Sequence, residues 1–286
     1  MPESFLSQAR TAFHAELLKK AVLAVNTKGV PSNADGSNKL SRELAMNIAD
    51  QLQAEAGERL AGQTSGNEFE QIVAHFLDSS FRKFSVIRPG SWVIAKVGGR
   101  SRTAVAEYGQ YAHLLDLHDA IEQNPSLLTA LGNDYAVAPD VVVVRLPEPD
   151  ASINKDEFLV DDFYGILADI REKEGRKPLL HASVSTKWTL RSDRAQNARA
   201  EALNLIRNRK GRQPHIVLVT GEPTPSRLSS LALGTGDLDC IYHFALPELK
   251  NAVDAQNEQK HKDLLDAMIE GRRLKDIADL PLDLAV

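Results

Sequence analysis

Four side chains have the types and spacing that could cleave a phosphate ester. Asp140 precedes the apolar run 141–144. Ser185 and Lys187 end a second mostly apolar run, and Glu201 follows after 13 further residues. Carboxylates gathered at strand ends can hold Mg²⁺ against a phosphate, because Mg²⁺ prefers one or two carboxylates together with phosphate oxygens and water. A lysine beside them would add positive charge close to the phosphate.

Each of these residues also has an ordinary structural explanation. An aspartate before a strand is commonly a turn residue, and a lysine that ends an apolar strand can extend its ammonium group into water. Glu201 lies in an amphipathic stretch and Glu70 lies beside the apolar Phe69, so either could be a surface glutamate. Only the combination of Asp140, Lys187 and the two glutamates favours one site.

The apolar pattern predicts the elements that would position these groups. Apolar residues recur at helical spacing from Phe69 to Leu77, with Asn67 as the expected N-cap after a loop over 61–66. Helices are predicted over 5–25, 41–52, 67–77, 163–174, 192–210 and 250–271, and strands over 92–97, 141–144, 179–189, 215–220 and 239–245. This alternation predicts an α/β fold with one central mixed sheet flanked by helices. We expect a single domain over 1–286, with 147–178 inserted between neighbouring strands.

The composition is that of an ordinary globular chain. Its 286 residues include 43% hydrophobic and 26% charged residues, which excludes a disordered chain or a coiled coil. The single cysteine, Cys240, excludes an intrachain disulfide and a cysteine-based zinc site, and it fits a reducing, cytoplasmic location. No apolar run approaches the ~20 residues that span a bilayer, so we expect no membrane partner. The net charge of −5 does not favour nucleic acid, although a local basic cleft would suffice to bind it.

Basic side chains cluster over 187–212, and this stretch includes Arg191, Ser192, Asp193 and Arg194 in succession. One interpretation is a helix start, capped by Ser192 or Asp193 and decorated with surface arginines. The other is a segment that enters the major groove of DNA. There, arginine bonds guanine O6 and N7, and a carboxylate accepts from cytosine N4. The segment therefore has both residue types that G·C pairs require.

The spaced motif resembles the PD-(D/E)xK nucleases. Asp140 matches the metal-binding aspartate of that family, and Lys187 matches its catalytic lysine. Ser185 stands where the family usually has an acidic residue. Glu201 matches the glutamate that supplies the missing carboxylate from the following helix, and Glu70 matches a further acid from an earlier helix. Together with the R-S-D-R segment, this variant is similar to the CCGG-recognising group of type II restriction endonucleases.

This resemblance implies a restriction-endonuclease-like fold and a Mg²⁺-dependent enzyme that cuts double-stranded DNA. The implied target is a palindrome with a CCGG core, GCCGGC, cut to leave 5′ overhangs. Asp140 and Glu201 would be the metal ligands, and residues 191–194 would read the core. The resemblance also implies a homotetramer built as a dimer of dimers. A cognate DNA methyltransferase is implied in the host, with no direct contact to the enzyme.

Candidates for reading an outer base pair lie in other polar segments. Asp35 and Ser37 lie in the loop 26–38, and Arg227 lies in the loop 221–227. An outer G·C pair again calls for an arginine and an acid, and Gln63 could enter the minor groove. Each of these four residues could also be an ordinary loop residue.

Two alternatives remain open. A repair-type nuclease of the same family would share the site and differ in its reading loops, whereas a DNA-binding protein without catalysis would need only the basic segment. A nucleotide-binding ATPase is disfavoured, because the sequence has no GxxxxGKS or GxxxxGKT loop and residues 96–100 do not fit that pattern.

Overall fold

The computed structural model describes residues 2–55, 57, 60, 62–97, 104–124, 126–131, 138–173, 175–234 and 236–286. Within them the α-helices are α1 (Phe5–Lys19), α2 (Lys39–Gln51), α3 (Gly62–Phe81), α4 (His113–Gln123), α5 (Ser126–Leu131), α6 (Asp150–Ile153), α7 (Ser192–Asn208), α8 (Pro225–Ala232), α9 (Leu246–Ala255), α10 (Gln259–Glu270) and α11 (Leu280–Asp283). Short 3₁₀ segments cover Arg82–Phe84, Ala104–Glu107, Gly109–Tyr111 and Ile277–Asp279. Within the described ranges, none of the helices has both the length and the apolar character needed to cross a membrane.

The described strands form one six-stranded sheet whose spatial order follows the chain. They are β1 (Trp92–Lys96), β2 (Val141–Arg145), β3 (Leu179–Lys187), β4 (His215–Thr220), β5 (Cys240–His243) and β6 (Leu274–Asp276). The first three strands pair antiparallel, whereas β3 to β6 pair in parallel. The predicted α/β fold, a mixed sheet flanked by helices, is therefore confirmed.

The strands in the middle of the sheet are covered on both faces, and their buried side chains fix the strand register. Four consecutive valines of β2, from Val141 to Val144, are buried, as expected for a strand packed on both sides. Val141 is paired with Val184 in the antiparallel ladder between β2 and β3. Asp140, one residue earlier, consequently lies beside Ser185, one residue later.

The helix that carries Glu70 begins earlier than its apolar pattern predicts. α3 starts at Gly62, so Asn67 lies inside the helix and not at its N-cap, and the predicted loop is helical over 62–66. Residue 61 lies outside the described residues. Packing overrides weak local preferences here: Ser65 is buried one turn before the buried Phe69 and extends the packed face of α3.

The predicted helix over 163–174 is wrong. The described part of this segment consists of turns and bends around Arg171, whose side chain is buried, and residue 174 lies outside the described residues. Asp161 Oδ1 accepts the N–H groups of Phe163 and Tyr164 at 2.8 and 2.9 Å. Arg171 Nη1 donates to the carbonyl of Tyr164 at 3.0 Å. Of these bonds, the one from Arg171 engages a carbonyl that a helix over 163–174 would have used, whereas Asp161 accepts N–H groups that the first turn of a helix leaves free.

The other predicted elements differ from the structure at their ends, whereas α4, α5, α6, α8, α11 and β6 were not predicted. Since α8 begins at Pro225, Arg227 lies in a helix and not in the predicted loop 221–227. The first helix ends at Lys19 and not at residue 25, because Ala21 has a φ of +52° and cannot continue a right-handed helix. The predicted helix over 250–271 is two helices, α9 and α10, separated at Asn257, which has a φ of +54°. Strand predictions agree with the structure to within about two residues, and the one for 215–220 matches β4.

Candidate active site

Asp140 and Lys187 form an ion pair where β2 begins and β3 ends. Lys187 Nζ donates to Asp140 Oδ2 at 2.9 Å. The same carboxylate oxygen accepts the backbone N–H of Thr186 at 2.7 Å and lies 3.4 Å from the hydroxyl of Ser185. The three residues of the Ser-Thr-Lys triplet therefore all contact one carboxylate.

Glu201 reaches the same cluster from α7, the helix that follows β3. Its Oε2 accepts from the Ser185 hydroxyl at 3.3 Å and lies 3.9 Å from Lys187 Nζ. Burial raises the pKa of Glu201, Lys187 opposes that rise, and the charge of Asp140 adds to it. The helix that follows β3 thus places a second carboxylate beside Ser185 and Lys187.

The Lys187 ammonium group is held as a cation between carboxylates. Burial alone would lower its pKa. The charges of Asp140 and Glu201, the hydrogen bond to Asp140 and the charge of Glu70 together outweigh burial, so the net pKa of Lys187 is raised. A lysine in this environment remains protonated at neutral pH.

Glu70 lies on α3 at the edge of this cluster, with a partner that the sequence interpretation missed. Lys96, the last residue of β1, places its Nζ 3.0 Å from Glu70 Oε2 and donates to the carbonyl of Asn67 at 3.0 Å. The signal was present in the sequence, because Lys96 ends an apolar strand as Lys187 does. Glu70 therefore forms its ion pair with Lys96, whereas Asp140 and Glu201 both lie close to Lys187.

One cavity of about 590 Å³ is lined by part of the catalytic candidates, without Asp140 and Ser185, and by most of the base-reading candidates. Its lining includes Glu70, Lys187 and Glu201. It also includes most of the candidate base readers, namely Asp35, Gln63, Arg191, Arg194 and Arg227. Ser37, Ser192 and Asp193 do not belong to the lining.

The R-S-D-R segment spans the start of α7. The helix begins at Ser192, with Arg191 at the N-cap position, and no side chain caps it, so the predicted cap by Ser192 or Asp193 is wrong. Arg194 Nη1 donates to the hydroxyl of Thr189 at 2.5 Å. The side chains of Arg191, Ser192 and Asp193 are exposed and have no hydrogen bond or ion pair with any other residue that the structure describes.

Asp35, Ser37 and Arg227 form one hydrogen-bonded group. Arg227 Nη2 donates to Asp35 Oδ2, and Asp35 Oδ1 accepts from the hydroxyl and the N–H of Ser37 at 2.7 and 3.1 Å. These bonds, that of Arg227 above all, hold the pKa of Asp35 well below its usual range. Gln63, the fourth outer candidate, lies exposed in the first turn of α3 and not in a loop.

The donor set of the cluster fits a magnesium ion. Asp140 Oδ2 and Glu201 Oε2 both approach the Ser185 hydroxyl, at 3.4 and 3.3 Å, so two carboxylates face one small region. Mg²⁺ commonly takes one or two carboxylates and fills its remaining positions with phosphate oxygens and water. Among the described residues, no three His, Cys, Asp or Glu side chains are grouped as metal ligands.

Comparison with known proteins gives one family. A family model described as the NgoMIV restriction enzyme matches residues 13–286. The chain is 57% identical over 281 residues to the type II restriction enzyme NgoMIV of Neisseria gonorrhoeae, covering 98% of each chain. Among solved structures, the type IIF restriction endonuclease Bse634I with cognate DNA gives a TM-score of 0.40 at 16% identity, covering 86% of this chain and 92% of that chain. A complex of the restriction endonuclease PspGI with substrate DNA gives a TM-score of 0.27 at 12% identity, covering 99% and 92%.

Proposed function

This chain belongs to the NgoMIV restriction enzyme family, and from that premise we propose that it hydrolyses duplex DNA at GCCGGC. Its mixed sheet flanked by helices is a restriction-endonuclease-like fold, and it is a type II restriction endonuclease. The proposal adds the target palindrome, the use of Mg²⁺ and cleavage that leaves 5′ overhangs. One observation carries it: the Lys187 ammonium group lies 2.9 Å from Asp140 and 3.9 Å from Glu201, in the cavity that Arg191 and Arg194 also line.

The residues of the cluster divide the work of hydrolysis. Lys187, kept protonated by its two carboxylate neighbours, would donate to a phosphate oxygen or orient the attacking water, and its charge favours the developing negative charge. Ser185, whose hydroxyl lies between the two carboxylates, would hold these carboxylates in position relative to each other. The backbone N–H of Thr186 fixes the Asp140 carboxylate so that it needs no rearrangement during the reaction.

Asp140 and Glu201 are the residues that would hold Mg²⁺. When bound, the ion would lower the pKa of water and stabilise charge on the phosphoryl oxygens. A cation would also relieve the repulsion between the two carboxylates, which contributes to the raised pKa of Glu201. Glu70, paired with Lys96, lies one step farther out and would join the site only if that ion pair opened.

Base reading follows from the residues around the same cavity. Arg191 and Arg194 would bond guanines of the CCGG core, and Asp193 would accept from a cytosine N4. Asp35 and Arg227 already pair with each other, and together they supply the acid and the arginine that an outer C·G pair requires. All six base pairs of the target GCCGGC are G·C pairs. Ser37 would support Asp35, Gln63 would be free to approach the minor groove, and Ser192 would belong to the segment that reads the core.

Assembly as a homotetramer, a dimer of dimers, is supported by an exposed apolar surface. Within its described residues, the segment 147–178 leaves six large apolar side chains exposed to solvent, namely Phe158, Leu159, Phe163, Tyr164, Ile166 and Leu167. Apolar groups concentrated in one segment commonly mark a protein interface. A palindromic target requires a two-fold arrangement of two chains, and this segment offers a surface for a second pair. A host that makes such an enzyme would also need a methyltransferase to protect its own sites.

A digestion experiment tests the proposed function. DNA of known sequence is incubated with the enzyme and Mg²⁺, and the cut ends are mapped by sequencing. Cuts confined to GCCGGC with 5′ overhangs are expected. Lys187→Ala should lose cleavage and keep specific binding, whereas Lys262→Ala, which alters a lysine paired with Asp254 outside the cavity, should cut normally. Specific binding without cleavage by the unaltered chain would instead identify a DNA-binding protein, and cuts without a common sequence would favour a repair-type nuclease.

A further inference from the structure

The buried carboxylate of Glu222 contacts the segment before Arg191 and the side chain of Arg227, and Arg227 in turn contacts Asp35. Glu222 follows β4 and has no exposed surface. Its Oε2 accepts the N–H of Leu190 at 2.9 Å, and its Oε1 accepts the N–H of Thr224 at 3.2 Å. Leu190 immediately precedes Arg191, so this carboxylate holds the start of the segment assigned to the CCGG core.

The same carboxylate also contacts the arginine assigned to the outer pair. Arg227 Nη1 lies 3.5 Å from Glu222 Oε2, the oxygen that accepts from Leu190. Arg227 Nη2 donates to Asp35. The guanidinium of Arg227 is therefore oriented by two carboxylates, one in the cavity lining and one behind it.

The backbone next to Glu222 packs closely against Asn33 and Trp188. The carbonyl of Gly221 accepts from Asn33 Nδ2 at 2.9 Å, two residues before Asp35. A Cβ on Gly221 would lie 2.5 Å from the ring of Trp188, so only glycine permits this approach. Asn33 and Trp188 thus fix the loop that carries Glu222 to the two reading segments.

A buried charge needs a reason, because an unpaired carboxylate in a protein interior is strongly unfavourable. Burial raises the pKa of Glu222, and its bonds to Leu190 and Thr224 together with the charge of Arg227 oppose that rise. A neutral side chain could fill the space, but it could not accept two backbone N–H groups and also attract a guanidinium. The negative charge of Glu222 therefore fixes the positions of two backbone N–H groups and of the Arg227 guanidinium.

We propose that Glu222 is a positioning residue that sets base-pair specificity. It joins the segment that reads the CCGG core to the arginine that reads the outer pair, so that both are placed together against the DNA. The inference rests on the proposed function. It predicts that discrimination at the outer position depends on Glu222 acting through Arg227, although Glu222 touches no DNA.

The test compares cleavage of two duplexes that contain GCCGGC or ACCGGT. In Glu222→Gln, the ratio of kcat/KM for GCCGGC over ACCGGT should fall about tenfold, the scale of a displaced bidentate contact. In an Arg227→Gln background, the same change should cause no further loss at the outer position, because the two residues act as one unit. Losses that add independently, or an unchanged ratio in Glu222→Gln, would overturn the inference.

Controls separate specificity from damage to the fold. Glu248→Gln removes another carboxylate that accepts from an arginine, Arg10 at 2.9 Å, outside the cavity lining, and it should leave the cleavage ratio unchanged. Thermal melting shows whether each variant folds. If Glu222→Gln does not fold, Glu222→Asp decides the question, because it keeps the charge, withdraws the carboxylate and should reduce the same ratio by a smaller factor. An unaltered enzyme that does not prefer GCCGGC would overturn the proposed function itself.

Discussion

The carboxylate of Asp140 accepts the backbone N–H of Thr186 at 2.7 Å. Thr186 lies between Ser185 and Lys187, whose side chains contact the same carboxylate. This bond ties the start of β2 to the end of β3 through the main chain. The position of the carboxylate is therefore set by the pairing of the strands, which the buried valines stabilise. Glu201, carried on α7, instead reaches the cluster through side-chain contacts with Ser185 and Lys187.

The first prediction concerns the relocated carboxylate. Glu201→Ala should lower the cleavage rate by about 100-fold or more, the scale for removing one electrostatic contribution to a transition state. Specific binding, measured with Ca²⁺ in place of Mg²⁺, should persist, since Ca²⁺ coordinates more loosely and supports turnover poorly. Glu270→Ala, at an exposed position of α10, serves as the control. Normal cleavage by Glu201→Ala would make Glu201 an ordinary helix residue.

A second prediction concerns base reading by Arg194, whose guanidinium is oriented by Thr189 and lines the cavity. Arg194→Ala should cost about 1–3 kcal/mol of preference for the specific site over random DNA. Competition binding at fixed salt measures this difference. Arg207→Ala, exposed farther along α7, should leave the preference intact. Equal weakening on specific and random DNA would mean that Arg194 contacts the phosphate backbone.

A third prediction concerns stability in acid. His243 is fully buried, its Nδ1 accepts the N–H of Ala245 at 3.1 Å, and burial lowers its pKa to about 4. Between the unfolded value of about 6.5 and this folded value, the unfolded chain binds a proton that the folded chain does not. The free energy of unfolding should therefore fall as the pH falls through this window, by about 1.4 kcal/mol per unit of pKa difference.

Denaturant unfolding of His243→Asn between pH 7 and 4 checks this prediction. Asparagine keeps a short acceptor and does not titrate, so the variant should lose less stability on acidification than the unaltered chain. His118→Gln, at a more exposed position, should keep the original slope. Parallel slopes for the unaltered chain and His243→Asn would assign the acid sensitivity to other groups.

The sequence allowed five of the six described strands and the grouping of Asp140 with Lys187 to be predicted, because both follow from local pattern and spacing. The run 141–144 and the spacing from Asp140 to Lys187 are visible without any knowledge of contacts. The contact between Glu70 and Lys96 was not predicted, since the two residues lie on different elements, α3 and β1, and local spacing does not show that they meet. Glu222 and Arg171 were missed for a related reason: each is a charged residue buried by tertiary contacts that no local spacing shows.

Assembly depends on which apolar surfaces the fold leaves uncovered. Two segments are candidates, the segment 147–178 and the C-terminal helix around 264–269. In the structure, Leu265 and Met268 of α10 are buried in the core, so that helix covers its own domain. Phe163 and Leu167 are instead 79% and 80% exposed. The inserted segment is therefore the surface on which a dimer of dimers would form.

The fourth prediction follows from this exposed segment. The double variant Phe163→Ser with Leu167→Ser should sediment at the mass of a dimer, while the unaltered chain sediments as a tetramer, because burying each large apolar side chain contributes about 1.5–3 kcal/mol. A plasmid with two sites should be cut faster than one with a single site by the unaltered enzyme only. A short cognate duplex added in trans should rescue the single-site plasmid, and only with the unaltered enzyme. A dimer mass for the unaltered chain, with equal rates on both plasmids, would contradict the tetramer and leave the nuclease assignment in place.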